Sequence, residues 1–326
     1  MKKLFFLILF LPLFASCLSA DKFAKNPKHY YIELTSRKAE KAAFEFGTID
    51  WSSGFMNKEA FGESQSIDSE EGMLFFETLT KDMQKLGVED KDLLIYMHGF
   101  YANMWPYFPH TLRRFNKDLV KNEDCQIEIV LSIIWHGGLG YQKYWNDALK
   151  KGAKLSPIFP KLHELSNQTN CDLNLLTHSM GNQVMRGAVE KLDRDTTSYF
   201  EEWVLAAPDL DPTDFAEADF LRKVSSLAKR VHVYTYPRDK VLWLSSIVTG
   251  EKRLGAKVEA QKTFPDNIIV VDVGPLKWRN GFSGHVYFDS SRQVREDIVF
   301  IFTGTSLRDF SHRKLIDPQF YELHPQ

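Results

Sequence analysis

Short, uninterrupted apolar runs recur along the chain and constrain its fold more than any other feature of the sequence. Six of them stand out, at residues 93–97, 127–135, 173–176, 203–207, 231–236 and 268–273. Continuous rather than alternating runs are typical of strands that are buried on both faces. The segments between them have helical periodicity, as at Val184, Ala188 and Leu192. This alternation predicts an α/β fold with a mostly parallel central sheet and helices on both faces.

Two further extended runs precede these six, at residues 30–34 and 43–46. They predict an antiparallel hairpin or edge that is added before the parallel part begins. No linker, repeat or low-complexity tract divides the rest of the chain. We therefore expect one domain over residues 21–326.

The first twenty residues have the character of an export signal. A basic start at Lys2 and Lys3 precedes the apolar run 4–14, and small residues follow it. As a helix the run would span about 16 Å against a hydrocarbon core of roughly 30 Å, which favours a cleaved signal over a membrane span. Residues 14–17 also resemble a bacterial lipobox, in which Cys17 would carry the lipid; cleavage after Ala20 is the alternative. The sequence thus predicts an exported protein, periplasmic, secreted or anchored to a membrane through Cys17.

The charge of the chain excludes some classes of partner. With 41 Lys and Arg against 43 Asp and Glu, the formal net charge is −2, and loss of Lys2 and Lys3 with the signal would make it more negative. Such a balance argues against nucleic acid as a partner. Motifs typical of metal or nucleotide sites are missing from the sequence, so no metal or cofactor is expected.

The third of the six runs leads directly into the most informative motif. Residues 175–182 read Leu-Leu-Thr-His-Ser-Met-Gly-Asn and pass into a helical pattern. A sharp strand-to-helix turn would expose the hydroxyl of Ser179, and it needs a small residue such as Gly181. The Met180 amide would lie at the helix start, where it can donate to an oxyanion.

This motif resembles the nucleophile elbow of the α/β-hydrolase superfamily, with Thr177 in place of the first glycine. Within the superfamily the chain is most similar to a bacterial family of α/β hydrolases of unknown function, over about residues 93–302. The resemblance implies the α/β-hydrolase fold and a serine hydrolase reaction, with no particular substrate. It also implies a chain order of serine, then acid, then histidine.

The resemblance places the oxyanion loop after the strand that lies two before the elbow strand. Residues 97–101 lie there, with Gly99 allowing close backbone approach and the amide of Phe100 or of Tyr101 as the second donor. The competing segment 135–138, Trp-His-Gly-Gly, ends the intervening strand, and chain order assigns it to the rim of the pocket.

Candidates for the histidine and the acid follow from the same order. His285 lies on a loop after the last predicted strand and before the helix that contains Val294. Asp239 follows the penultimate strand, the usual position of the superfamily acid. Asp209 and Asp211 follow the preceding strand and stay open as alternatives.

These residues predict ester-type hydrolysis of the carboxylesterase or lipase kind, through an acyl-enzyme on Ser179. Aromatic residues after the strands could line an acyl pocket, so the expected substrate is a small-molecule ester or a lipid. The alternative is a non-catalytic binding protein on the same fold. Cys125 and Cys171 each precede a predicted strand; they could form a disulfide or remain free thiols.

Overall fold

The structure is a computed structural model of the chain. It describes residues 27–36, 39–50, 56–86, 92–100, 111–112, 114, 118–119, 125–137, 140–192, 198–213, 218–258, 264–276, 283–304 and 312–325. The predicted signal segment with Cys17 lies outside these residues, and so does Tyr101.

An eleven-stranded sheet forms the centre of the described fold. Its strands are β1 (Lys28–Leu34), β2 (Phe44–Asp50), β3 (Asn57–Ser64), β4 (Asp92–Met97), β5 (Ile127–Trp135), β6 (Leu173–His178), β7 (Phe200–Ala206), β8 (Ala228–Thr235), β9 (Ile268–Asp272), β10 (Arg313–Asp317) and β11 (Phe320–Leu323). Their order across the sheet is β10-β11-β9-β8-β7-β6-β4-β5-β1-β2-β3. All neighbours from β11 to β1 in this order pair in parallel, and β10, β2 and β3 pair antiparallel at the two edges. The predicted mostly parallel sheet is confirmed.

Helices cover both faces of this sheet. They are α1 (Glu70–Lys85), α2 (Tyr141–Leu155), α3 (Ile158–Thr169), α4 (Gly181–Val189), α5 (Ala218–Leu227), α6 (Lys240–Thr249), α7 (Tyr287–Ser290) and α8 (Arg292–Ile301). Side chains of α1 to α5 enter the core on one face, and those of α6 to α8 enter the core on the other. Within the described ranges, no helix is long and apolar enough to cross a lipid bilayer.

The two cores explain why the predicted strands are apolar without alternation. In β4, Leu93, Ile95 and Met97 face one core, while Leu94 and Tyr96 face the other. A strand that is buried on both faces needs an apolar side chain at every position.

Helices α2 and α4 pack unusually closely on one face of the sheet. A Cβ atom on Gly152 of α2 would collide with the carbonyl oxygen of Val184, and one on Gly187 of α4 would collide with that of Leu149. Glycine at both positions lets the two backbones touch. Tyr141, the first residue of α2, donates to Asp209, whose backbone N–H donates to the carbonyl of Ser179.

Three strands were not expected from the sequence. The edge strand β3 is mostly exposed, and β10 and β11 are short strands close to the C-terminus. The early runs do form the expected antiparallel pair, β1 with β2, but β1 also pairs in parallel with β5.

The two described cysteines do not form a disulfide. Cys125 precedes β5 and Cys171 precedes β6, and β4 lies between these strands. Because neighbouring strands lie about 4.8 Å apart, two strands that flank a third hold their residues farther apart than the roughly 7 Å Cα separation that a disulfide allows.

Candidate active site

Ser179 occupies a strained turn between β6 and α4. Its φ is +54°, a left-handed value that is uncommon for a residue with a Cβ atom. Three backbone hydrogen bonds hold it: its N–H donates to the carbonyl of Ala206 at 3.0 Å, and its carbonyl accepts from Asn182 at 3.1 Å and from Asp209 at 3.2 Å. The sharp strand-to-helix turn expected from the sequence is therefore present at this serine.

The residues on either side show how this turn accommodates a threonine where the superfamily pattern has glycine. The Thr177 side chain is buried, donates to Asn182 Oδ1 at 2.6 Å and accepts from Trp203 Nε1 at 3.1 Å. Gly181 provides the room on the other side, since a Cβ atom there would lie 2.6 Å from the carbonyl oxygen of His98.

The structure brings Ser179, His285 and Asp239 into one hydrogen-bonded line. The distance from His285 Nε2 to Ser179 Oγ is 2.8 Å, and the distance from His285 Nδ1 to Asp239 Oδ2 is 2.7 Å. A carboxylate next to Nδ1 fixes the proton there, so Nε2 is left to accept the serine proton. All three residues are at least 94% buried, with exposures of 4%, 6% and 2%.

The two carboxylate oxygens of Asp239 have separate partners. Oδ2 contacts His285, while Oδ1 accepts from the backbone N–H groups of Val241 at 2.9 Å and Leu242 at 3.0 Å. Asp239 is thus the N-cap of α6, and the helix N-terminus favours its negative charge. The cap fixes the carboxylate in the orientation that the histidine needs.

His285 follows a tight turn in the loop between β9 and α7. Gly284 has a φ of +67°, and a Cβ atom there would lie 2.7 Å from Tyr236 Cε1, so the turn requires glycine. The ring of His178 lies beside the His285 ring, with centroids 4.9 Å apart, and against Phe288 at 4.2 Å. Burial holds the pKa of His178 well below its usual range, so a neutral ring packs against His285.

The loop after β4 lies directly against the serine, because β4 is the neighbour of β6 in the sheet. A Cβ atom on Gly99 would lie 2.8 Å from Ser179 Cβ and 2.9 Å from His178 Nδ1, so only glycine permits this approach. Phe100 follows it, and its ring packs edge-on against Tyr141 with centroids 5.8 Å apart.

Two hydrogen bonds between His98 and Trp135 hold the base of this loop in place. The Trp135 backbone N–H donates to His98 Nε2 at 3.1 Å, and Trp135 Nε1 donates to the His98 carbonyl at 2.8 Å. Burial lowers the pKa of His98 to about 4, which keeps its ring neutral. Trp135, the first residue of the segment 135–138 that was expected at the rim of the pocket, is instead fully buried and packs beneath the loop.

The alternative acids Asp209 and Asp211 do not contact His285. The Asp209 carboxylate binds Tyr141 and Ser245, and Asp211 Oδ1 accepts from the Thr213 backbone N–H at 2.8 Å. The reason is topological: Asp239 and His285 follow the neighbouring strands β8 and β9, whereas the two alternatives follow β7.

Sequence reasoning missed the buried cluster around Asp209. Ser245 Oγ donates to Asp209 Oδ1 at 2.8 Å, and Arg253 Nε lies 3.3 Å from the same oxygen. No local pattern marks this arrangement, since its members are far apart in the chain. Among the described residues, no group of three or more His, Cys, Asp or Glu side chains is placed to hold a metal ion.

Comparison with known proteins assigns this fold to a family. A family model described as an alpha/beta hydrolase of unknown function (DUF900) matches residues 76–301, more than half of the chain. No curated protein matches the sequence.

Solved structures similar to this chain include a gene product of Listeria innocua, at 14% identity with a TM-score of 0.39, covering 72% of this chain and 99% of that one. A siderophore hydrolase from Aspergillus nidulans is 10% identical with a TM-score of 0.33, covering 96% of this chain and 91% of that one. With identities and scores this low, the sheet topology and the family match carry the assignment of the fold.

Proposed function

We propose that this chain, which belongs to the family of α/β hydrolases of unknown function, is a serine hydrolase that cleaves ester-type bonds. The observation that carries the proposal is the line from Ser179 Oγ through His285 to Asp239, with contacts of 2.8 Å and 2.7 Å. A serine hydroxyl is a weak nucleophile unless a base lies within hydrogen-bond reach, and here one does.

In the proposed reaction Ser179 Oγ attacks the carbonyl carbon of the substrate while His285 Nε2 takes the serine proton. The imidazolium then gives this proton to the leaving group, and an acyl-enzyme remains. Asp239 holds the ring and stabilises its positive charge without taking the proton. Its two bonds from the α6 backbone keep the carboxylate oriented for this role.

The tetrahedral intermediate needs hydrogen-bond donors for its negative oxygen. We assign this role to the backbone N–H groups of Met180, at the N-cap of α4, and of Phe100, which follows the close contact between Gly99 and Ser179. Water activated by His285 then attacks the acyl group and releases it. The neutral ring of His178 adds no charge that would oppose protonation of His285.

The proposed substrate is a small-molecule ester or a lipid. Export of the protein, and its anchoring through a lipid on Cys17, remain predictions from the sequence. Mass spectrometry of the N-terminus of the protein isolated from its host would identify the cleavage site and any lipid.

Labelling with a fluorophosphonate tests the nucleophile directly. We expect one covalent adduct on Ser179 in the wild-type chain and none in Ser179→Ala. Ser132→Ala is a matched control, because this serine is also buried but lies inside β5, and it should leave the adduct in place. A folded wild-type protein without an adduct on Ser179 would instead favour a non-catalytic binding protein on this fold.

A series of chromogenic esters of increasing acyl length then separates the substrate classes. A lipase retains activity on long acyl chains, whereas an esterase prefers short ones. Ser179→Ala should lower kcat by at least about 10³-fold on every active member of the series, because it removes the covalent step.

A further inference from the structure

Two buried N–H donors lie on neighbouring side chains close to the candidate active site. Nη2 of Arg253 and Nε1 of Trp145 are both shielded from solvent, and neither has an acceptor within the described part of the chain. Cζ of Arg253 lies 5.2 Å from the centroid of the Trp145 ring. A buried N–H that lacks an acceptor costs about 1 to 3 kcal/mol, so two of them side by side point to an acceptor that a ligand supplies.

The guanidinium of Arg253 is held firmly on its other side. Its Nε donates to Ser245 Oγ at 2.8 Å and lies 3.3 Å from Asp209 Oδ1, and Arg253 is only 1% exposed. The hydroxyl of Tyr141 donates to the other oxygen of Asp209. Because guanidinium is planar and rigid, these contacts also fix the direction of its remaining N–H groups.

This cluster is linked to three segments that bear candidate catalytic groups. The backbone N–H of Asp209 donates to the carbonyl of Ser179 at 3.2 Å, and Tyr141 packs against Phe100 of the loop after β4. Ser245 lies on α6, the helix that Asp239 caps. Asp209 thus connects the guanidinium of Arg253 to the backbone of Ser179.

The hydrogen-bonding chemistry of the two free donors favours an oxyanion as that group. Arg253 and Asp209 form an ion pair, and burial, together with the charge of Asp209, raises the pKa of Tyr141 well above its usual range, so Tyr141 stays neutral. Carboxylate and phosphate oxygens accept strongly from guanidinium N–H groups, and the indole N–H is a donor only.

We propose that Arg253 and Trp145 form a subsite for a carboxylate or phosphate group carried by the substrate, at a distance from the bond that is cleaved. This inference rests on the proposed function and makes it more specific. The substrate class becomes an ester that bears an oxyanion, rather than a purely apolar ester.

Binding to Ser179→Ala tests the subsite without turnover. Calorimetric titrations at constant ionic strength would use glutarate, inorganic phosphate and, as the uncharged control, dimethyl glutarate. We expect one of the two anions to bind at least about tenfold more tightly than dimethyl glutarate, and the preferred anion identifies the source of the oxyanion. If neither anion binds more tightly than the diester, the proposal is overturned, and water then satisfies the two donors.

Conservative substitutions of Trp145 and Arg253 test the two donors. Trp145→Phe, made in Ser179→Ala, keeps an aromatic ring and removes one N–H; it should weaken binding of the preferred anion about five- to tenfold. Trp243→Phe is the matched control, since Trp243 is 60% exposed, and it should change nothing. Equal affinities in the two variants would overturn the role of Trp145. Should Trp145→Phe not fold, Arg253→Lys keeps the charge and should cause a similar loss.

Fluorophosphonate labelling separates this test from that of the proposed function. The wild-type chain should form the adduct whether or not an anion binds to it. A protein that forms the adduct but binds no anion retains the hydrolase assignment and loses the subsite. A protein without an adduct loses the hydrolase assignment, whatever it binds.

Discussion

Two buried histidines of this chain each contact a carboxylate, and the two pairs lie in very different surroundings. His285 contacts Asp239 at 2.7 Å in loops beyond the carboxyl ends of β8 and β9, with Ser179 on its other nitrogen. His232 contacts Glu202 at 2.9 Å within β8 and β7, and both are at least 99% buried. Burial holds the pKa of His232 well below its usual range, so this contact is a hydrogen bond of a neutral ring.

The carboxylates also differ in what balances their charge. Asp239 accepts two backbone N–H groups at the start of α6, which are dipoles fixed by the fold. Glu202 accepts from the Arg230 side chain at 2.6 Å, and burial nevertheless raises the pKa of Glu202 to about 7. Contact between a histidine and a carboxylate is therefore not enough to indicate a catalytic site. Their place at the end of the strands, beside a nucleophile, makes the first pair the candidate site.

The largest effect should come from replacing the carboxylate of the first pair. Asp239→Asn is expected to lower kcat about 10⁴-fold, because an amide no longer fixes the proton on His285 Nδ1. Asparagine caps helices as well as aspartate does, so the unfolding free energy should change by less than about 1 kcal/mol. Ester hydrolysis and chemical denaturation measure the two quantities. A large loss of stability with little loss of activity would show that Asp239 serves only as a helix cap.

A smaller effect, on stability alone, is expected from the second histidine. His232→Leu keeps a side chain of similar volume and leaves one Glu202 oxygen without its donor, which should lower the unfolding free energy by about 2 kcal/mol. The kcat/KM value should stay within about twofold of wild type, because this site lies away from the reacting groups. Urea denaturation and the ester assay test both parts, and a large fall in kcat/KM would show that the two pairs are coupled.

The smallest effect concerns the pH dependence of stability. Glu202 ionises near pH 4.5 in the unfolded chain and near pH 7 in the folded one. Between these values the folded state binds more protons, so the contribution of Glu202 to stability is complete below about pH 4.5 and is lost as the pH rises through 7. Glu202→Gln should flatten this fall by about 1 kcal/mol between pH 6 and 7.

Thermal melts across this pH range measure the slope. Some of it should persist in Glu202→Gln, because burial also raises the pKa of Asp92 to about 7. An unchanged slope in Glu202→Gln would mean that Glu202 is ionised in the folded protein throughout this range. The substitution also makes the same chemical change as Asp239→Asn, so its expected lack of effect on hydrolysis is the matched control for that variant.

Much of the parallel sheet could be predicted from the sequence, because a strand that is buried on both faces must be apolar at every position. The apolar run 127–135 coincides with β5. The apolar run 173–176 begins with β6 and ends two residues before that strand does. Strand β3 could not be predicted in this way. It is held at the edge by backbone hydrogen bonds to β2 and buries little, so its side chains are free to be polar.

The candidate site likewise has residues that the sequence predicts and residues that it does not. Ser179 is marked by a short local pattern around a glycine, and His285 by its place on a loop between the last predicted strand and the helix that follows. The choice of Asp239 over Asp209 depended on which strands are neighbours, and the order of the sheet resolves it. The contact of Arg253 with Asp209 joins residues that are far apart in the chain. Arg253 itself lies in the charged stretch 251–253, and such a stretch is typical of a solvent-exposed turn.

The separation of Cys125 from Cys171 by β4 affects how the protein would respond to oxidation. Burial raises the pKa of each thiol to about 11, so near neutral pH both are almost entirely protonated, whereas the thiolate is the form that reacts. Neither thiol has the other within bonding reach. The described body of the protein thus holds its fold without a disulfide, and once folded its two thiols should resist oxidation in reducing and oxidising surroundings alike.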